Sequence, residues 1–149
     1  MSNFLEKAAA WFWGYLEKRV LHYVGWEEKK ESPQRIPRVN RDDVLRVIRR
    51  DFPEGSEEQL MALFDPMEVR DWYGKARVQL AVLKAAGGDL AAIPEYMQLA
   101  SWDYRDILTV AEYPSFRLRH DRKHKISPEE LEKSYQDDWE QYQEWLNRK

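Results

Sequence analysis

Apolar residues recur along this chain at intervals of three and four, and no alternation of apolar and polar positions runs long enough to form a strand. Helix caps recur between these segments. The pattern predicts an all-α protein, a single-domain bundle of about six or seven helices with no sheet. The first helix, 4–24, carries Phe4, Leu5, Ala8, Ala9, Trp11, Phe12, Trp13, Tyr15, Leu16, Val20 and Tyr23 over about half its circumference. It closes at Gly25, and the linker that follows contains Pro33 and Pro37, which bias the residues before them away from helix. Asn40 is the N-cap of a second helix through Arg50, with Val44, Leu45, Ile48 and Phe52 inward and Arg46, Arg49 and Arg50 outward. Ser56 with Gln59 has the form of a capping box, opening a short helix that buries Leu60, Leu63 and Phe64.

Asp65, Pro66 and Glu68 repeat the start signal, so the longest helix is expected over 66–86. Its apolar positions fall on two sides, Val69, Trp72, Tyr73, Ala76, Leu80 and Leu83 against Met67, Val78, Val82 and Ala85, which places it at the centre of the bundle. Gly87 and Gly88 end it. Asp89 caps the next helix through Ala100, and Asp103 opens another that stops before Pro114. The stretch 115–126 reads as basic and irregular. Ser127, Pro128, Glu129 and Glu130 then start a last helix with a stripe of Leu131, Tyr135, Trp139, Tyr142 and Leu146. The expected organisation is an aromatic helix at 1–26, a charged linker at 27–40, an acidic helical core at 41–116, a basic connector at 117–126 and an amphipathic helix at 127–149.

Composition narrows the chemistry. The chain has 149 residues and no cysteine, which removes disulfides, thiolate metal sites and thiol nucleophiles. The longest apolar run, 8–16, is too short to span a bilayer, and no secretory signal precedes it, so a cytoplasmic protein is expected. Seven Trp, eight Tyr and five Phe are a heavy aromatic load. Net charge is −3, but it is segregated. Residues 1–50 carry 11 Lys or Arg against 7 Asp or Glu, 51–114 carry 5 against 12, 115–126 carry 5 against 1, and 127–149 carry 3 against 7.

Within 76–116, the elements Leu83-Lys84, Gly88-Asp89-Leu90, Asp103-Tyr104-Arg105-Asp106 and Ala111-Glu112-Tyr113-Pro114 resemble a motif of small bacterial helical proteins of unassigned function. The resemblance implies a bacterial origin and a helical unit, and brings no catalytic or binding residue with it.

Three function classes are weighed on residues. The favoured one is a non-catalytic interaction or accessory protein that binds a protein partner, or a second copy, through Trp11, Phe12, Trp13 and Tyr15, because large aromatics dominate interface energetics. The competing explanation of that face is packing on its own domain, with Arg19 and Asp138 neutralising each other if first and last helices pair. Membrane-surface docking lacks the Lys/Arg-rich polar face such helices carry, since here that face reads Glu6, Lys7, Glu17 and Lys18. The alternative is nucleic-acid association through the basic connectors, 29–50 and 117–125, with Arg46, Arg49, Arg50, Arg117, Arg119, Arg122 and Lys123 on phosphates. The acidic core opposes it. The third class is an enzyme built on Asp103, Arg105, Asp106 and Glu112, although Asp at a helix start is ordinarily a cap. His120 and His124 have metal-ligand spacing with Asp121, but the cations around them repel a metal. No catalytic residue, metal or cofactor is expected, since no phosphate loop, nucleophile elbow or zincin motif occurs.

Overall fold

Asn40 begins the fold because its side chain accepts from the backbone N–H groups of Asp42 and Asp43 at 2.9 and 3.2 Å, while the Asp43 carboxylate accepts from the Asn40 N–H at 3.0 Å. This reciprocal cap satisfies donors that would otherwise be orphaned and starts helix α1, Arg41–Asp51. The computed structural model describes residues 35–69, 74–120 and 126–149. They lie in the second of two units into which the chain divides, Gln34–Lys149. Among the described residues there are seven α-helices and no strand: α1, α2 (Ser56–Phe64), α3 (Lys75–Ala86), α4 (Ile93–Trp102), α5 (Tyr104–Glu112), α6 (Pro114–His120) and α7 (Pro128–Asn147), with a 3-10 turn at Leu90–Ala92 before α4. The all-α expectation holds.

Several expected boundaries move. Ser56 is the first residue of α2 rather than its cap: the cap is Gly55 at φ +85°, and the Ser56 hydroxyl donates to the Pro53 carbonyl at 2.6 Å. Leu63 is 41% exposed, and Met61 takes the inward place expected for it. In α1 the inward set is Val44, Val47, Ile48 and Phe52, with Leu45 only half-buried. The helix expected from Pro66 begins only at Lys75, because Gly74 at φ +76° and ψ 124° turns the chain immediately before it. Among the described residues the longest helix is therefore α7, with 20 residues. The basic stretch after Pro114 forms α6 instead of irregular chain, since Asp138 supplies the cap that local sequence lacks.

Helix α3 is central, as its two apolar sides imply. Val78, Leu80, Ala81, Val82, Leu83 and Ala86 are all buried, and α3 packs against α1, α4 and α5. At about 1.5–3 kcal/mol per buried Val, Leu, Ile or Phe side chain, these contacts with Val44, Val47, Ile48, Phe64, Ile93 and Ile107 supply the main drive for the fold. Gly87 at φ +59° and Gly88 at φ +89° end α3. A Cβ at Gly88 would stand 2.6 Å from the Asp51 carbonyl oxygen, so this glycine is also where α3 returns against the end of α1. Asp89 and Asp103 are caps, accepting from the N–H groups of Ala91 and Arg105 at 2.9 Å each. The Ser127 and Glu130 capping box opens α7.

Candidate functional site

Hydrophobic patterning puts Arg77 on the buried side of α3, where an unpaired guanidinium would cost several kcal/mol. Glu112 at the end of α5 meets it. The guanidinium donates Nε to Oε1 at 2.7 Å and Nη2 to Oε2 at 2.5 Å, with the two side chains 4% and 2% exposed. Burial pushes the Arg77 pKa down, but the hydrogen bonds and charge of Glu112 outweigh it and hold it above the ordinary value. Arg77 Nη2 also lies 3.3 Å from Tyr113 Oη, to which it donates, and that hydroxyl donates onward to the Arg35 carbonyl at 3.2 Å. A buried ion pair thus orients a phenol whose proton is spent on the segment before α1.

The expected stripe of α7 holds at Tyr142 and Leu146, with Asp138 inside it, and is rotated over the earlier turns. Its buried residues are Ser134, Asp138, Tyr142 and Leu146, whereas Leu131, Tyr135 and Trp139 are half-buried. Asp138 is fully buried, and its two carboxylate oxygens accept from the Ser115 and Phe116 N–H groups at 2.8 and 3.0 Å. It therefore caps α6 across the interface between the two helices, where charge at a helix N-terminus is favourable. Arg19, the partner expected for it, lies outside the described residues. Ser134 accepts from Arg119 Nη1 at 2.6 Å and donates to the Glu130 carbonyl at 2.8 Å. Tyr142 is buried with a hydroxyl that has no hydrogen-bond partner, and burial pushes its pKa well above that of an ordinary phenol.

These groups surround a cleft. Its lining brings Pro37 and Arg35 together with Glu112, Tyr113, Tyr135, Asp138, Trp139 and Tyr142, and the free volume left inside is about 10 Å³. Tyr135 is fixed by an edge contact with Tyr113, centroids 6.0 Å apart, and by stacking on Phe116 at 5.2 Å. Sequence reasoning missed this cleft. Aromatic density and the prolines of the linker were visible, but no local rule connects residue 37 with residues 113–142.

Arg46 donates to the Leu146 carbonyl at 2.6 Å and to Asp43 at 2.9 Å. Arg49 forms a two-point pair with Glu57 at 2.5 and 2.9 Å. Arg50 holds Asp51 at 2.7 and 2.8 Å and donates to the carbonyls of Trp145, Leu146 and Arg148, so it completes the C-terminus of α7. It also lies over the Trp145 ring at 5.6 Å, with Lys84 at 5.7 Å from the same ring. Burial lowers the Lys84 pKa, opposed by the charges of Asp138 and Glu112. Arg119 binds Ser134 and the Glu130 carbonyl, and Arg117 is exposed. Arg122, Lys123, His124 and Asp121 lie outside the described residues, as do Trp11, Phe12, Trp13 and Tyr15, and the His120 side chain is outside as well. Asp103 is engaged by Arg105, which donates Nη2 at 2.5 Å, and its pKa is held down at about 2 by that side chain and the Arg105 N–H. Glu112 pairs with Arg77 rather than with Arg105 and Asp106 is exposed, so the four polar residues expected as a cluster separate into a cap, an exposed carboxylate and a buried ion pair. No group of three or more potential metal ligands occurs among the described residues.

No family model matches the sequence, and no curated protein or solved structure matches it either. No helix among the described residues is long and apolar enough to cross a membrane.

Proposed function

We propose that this chain is a non-catalytic interaction or accessory protein that binds another protein, or a second copy of itself, through aromatic side chains. The observation that carries the reading is Trp102. It stands 76% exposed at the end of α4, a helix that buries only Ile93 and Ala100 and leaves Tyr96, Met97 and Leu99 half-covered. A solvated indole of this size forfeits a hydrophobic contribution of a few kcal/mol, and Trp is enriched at the energetic centres of interfaces. The aromatic face of 4–23, with Trp11, Phe12, Trp13 and Tyr15, supports the same reading from sequence. The α1 arginines that would serve a phosphate-binding reading have protein partners instead, Asp43 and the α7 end for Arg46, Glu57 for Arg49, and Asp51 and the α7 end for Arg50.

The test uses the full chain with p-benzoylphenylalanine in place of Trp102 or of Trp13, irradiated in the cells that make it, beside sedimentation of wild type, Trp102→Ala and the double variant Trp11→Ala/Trp13→Ala. Discrete light-dependent adducts at either position, or an oligomer lost in either variant, are the expected result. A monomer at every concentration with no adduct at either position overturns the reading. Salt-sensitive retention of a nucleic-acid probe by such a monomer would replace it with the phosphate-binding alternative.

A further inference from the structure

Pro37 is buried, yet it belongs to a segment with neither helix nor strand. Proline fixes φ near −65° and forces the residue before it into extended or polyproline-II geometry, so Arg35-Ile36-Pro37 presents alternate faces. Ile36 is accordingly turned out, 61% exposed, while Arg35 and Pro37 both line the aromatic cleft. The cleft meets them with the two kinds of contact that recognise such a backbone. Tyr113, Tyr135, Trp139 and Tyr142 supply aromatic walls beside the proline, and Tyr113 Oη donates to the carbonyl of Arg35, two residues before it. Arg77 fixes the direction of that donor, because it occupies the acceptor side of the same hydroxyl. The Glu112 and Asp138 carboxylates that also line the cleft are buried and already held, by Arg77 and by the Ser115 and Phe116 N–H groups, so what the cleft reads is the proline ring and the backbone rather than the arginine side chain.

We propose that this cleft is a peptide-recognition site for an extended x-x-Pro segment, read through its proline ring and the carbonyl two residues before it, and that residues 35–37 occupy it in cis as a competitor for such a segment of a partner. The proposal uses a surface different from Trp102 and the 4–23 face, so the two readings fail separately: a protein that shows no adduct at Trp102 or Trp13 still has this cleft to test, and the converse holds. A tethered segment competes at an effective concentration on the order of millimolar, so weakening the cis contact makes the cleft available to a free peptide.

The probe is the fluorescein-labelled peptide SPQRIPRVN, the chain's own residues 32–40, titrated by anisotropy with full-length wild type and full-length Pro37→Ala. Pro37→Ala is expected to bind it saturably and about tenfold more tightly than wild type does, with the peptide SPQRIARVN at least about tenfold weaker. Adding Trp139→Ala is expected to abolish binding, while adding Trp102→Ala leaves it unchanged. Equal binding of the two peptides, or no saturable binding by a Pro37→Ala protein whose circular dichroism and thermal transition match wild type, overturns the proposal and leaves the contact as internal packing. Should Pro37→Ala fail to fold, the wild-type chain is titrated with millimolar peptide by NMR. Shifts at the Tyr113, Tyr135 and Trp139 rings that SPQRIARVN does not produce support it, and their absence overturns it.

Discussion

Arg77 and Glu112 stand 35 residues apart in sequence and meet as a two-point ion pair inside the bundle, almost without solvent. Desolvating two charges is costly, and the geometry offsets that cost only while both partners are present. Glu112→Leu or Arg77→Met alone is therefore expected to destabilise the protein by about 3–5 kcal/mol, because each leaves a buried charge unmatched. Arg77→Met with Glu112→Leu together should recover most of that loss. Urea denaturation of the four proteins closes the double-mutant cycle, and additive losses would show that the pair acts through something other than mutual neutralisation.

Asp138 holds the start of α6 from the body of α7. Asp138→Ala removes both acceptors from the Ser115 and Phe116 N–H groups and is expected to cost about 2 kcal/mol. Hydrogen exchange should locate the effect: the amides of α6 lose protection first, whereas those of Leu80 to Leu83 in α3 follow only the global stability. Uniform loss across both helices would contradict a local capping role.

The Tyr142 hydroxyl is buried without a partner, so Tyr142→Phe should leave stability unchanged or raise it by up to about 1 kcal/mol. Its pKa is raised, by burial first and by the Glu112 charge second. A group held in its neutral acid form by folding contributes stability that is complete below its unfolded pKa, about 10 for tyrosine, and is lost as pH climbs above it. Wild type should therefore lose stability above about pH 10 more steeply than Tyr142→Phe. Parallel pH profiles from thermal melts would count against the assignment.

Asp103 titrates at about 2 because Arg105 donates to it from side chain and backbone. Its depressed pKa means that any stability it contributes is present above the unfolded Asp pKa and is lost as pH falls from about 4 toward about 2. Arg105→Gln should bring the Asp103 carboxyl back toward the ordinary range in an NMR titration, since the backbone N–H alone remains. An unmoved resonance would assign the shift elsewhere.

Gly88 and Gly87 both lie at positive φ, but only Gly88 has a backbone atom in the way of a Cβ. Gly87→Ala should cost about 1 kcal/mol for its left-handed conformation. Gly88→Ala should cost clearly more, because the Asp51 carbonyl must also shift. Equal melting temperatures for the two variants would show that the end of α1 yields freely.

Caps and apolar periods made the helical class legible, along with the starts at Asn40, Asp103 and Ser127, the glycine stop after Ala86 and the central place of α3. Each is a local rule in which a side chain serves a backbone group two to four residues away, or a helix face repeats every three to four residues. Where the local rule competed with something distant, the sequence misled. Pro66 followed by Glu68 has the form of a helix start, yet Gly74 interrupts the chain before Lys75. Leu131, Tyr135 and Trp139 look like the inner face of the last helix, yet α7 is rotated so that Ser134 and Asp138 go inward, because the polar contacts they satisfy belong to α6 and Arg119. The partners Arg77 with Glu112, Arg50 with the carbonyls of α7, and Pro37 with the aromatic cleft were decided only in three dimensions. A charge or a ring carries no record in sequence of which distant group will neutralise or cover it, since burial, and with it the need for a partner, arises only when the helices pack.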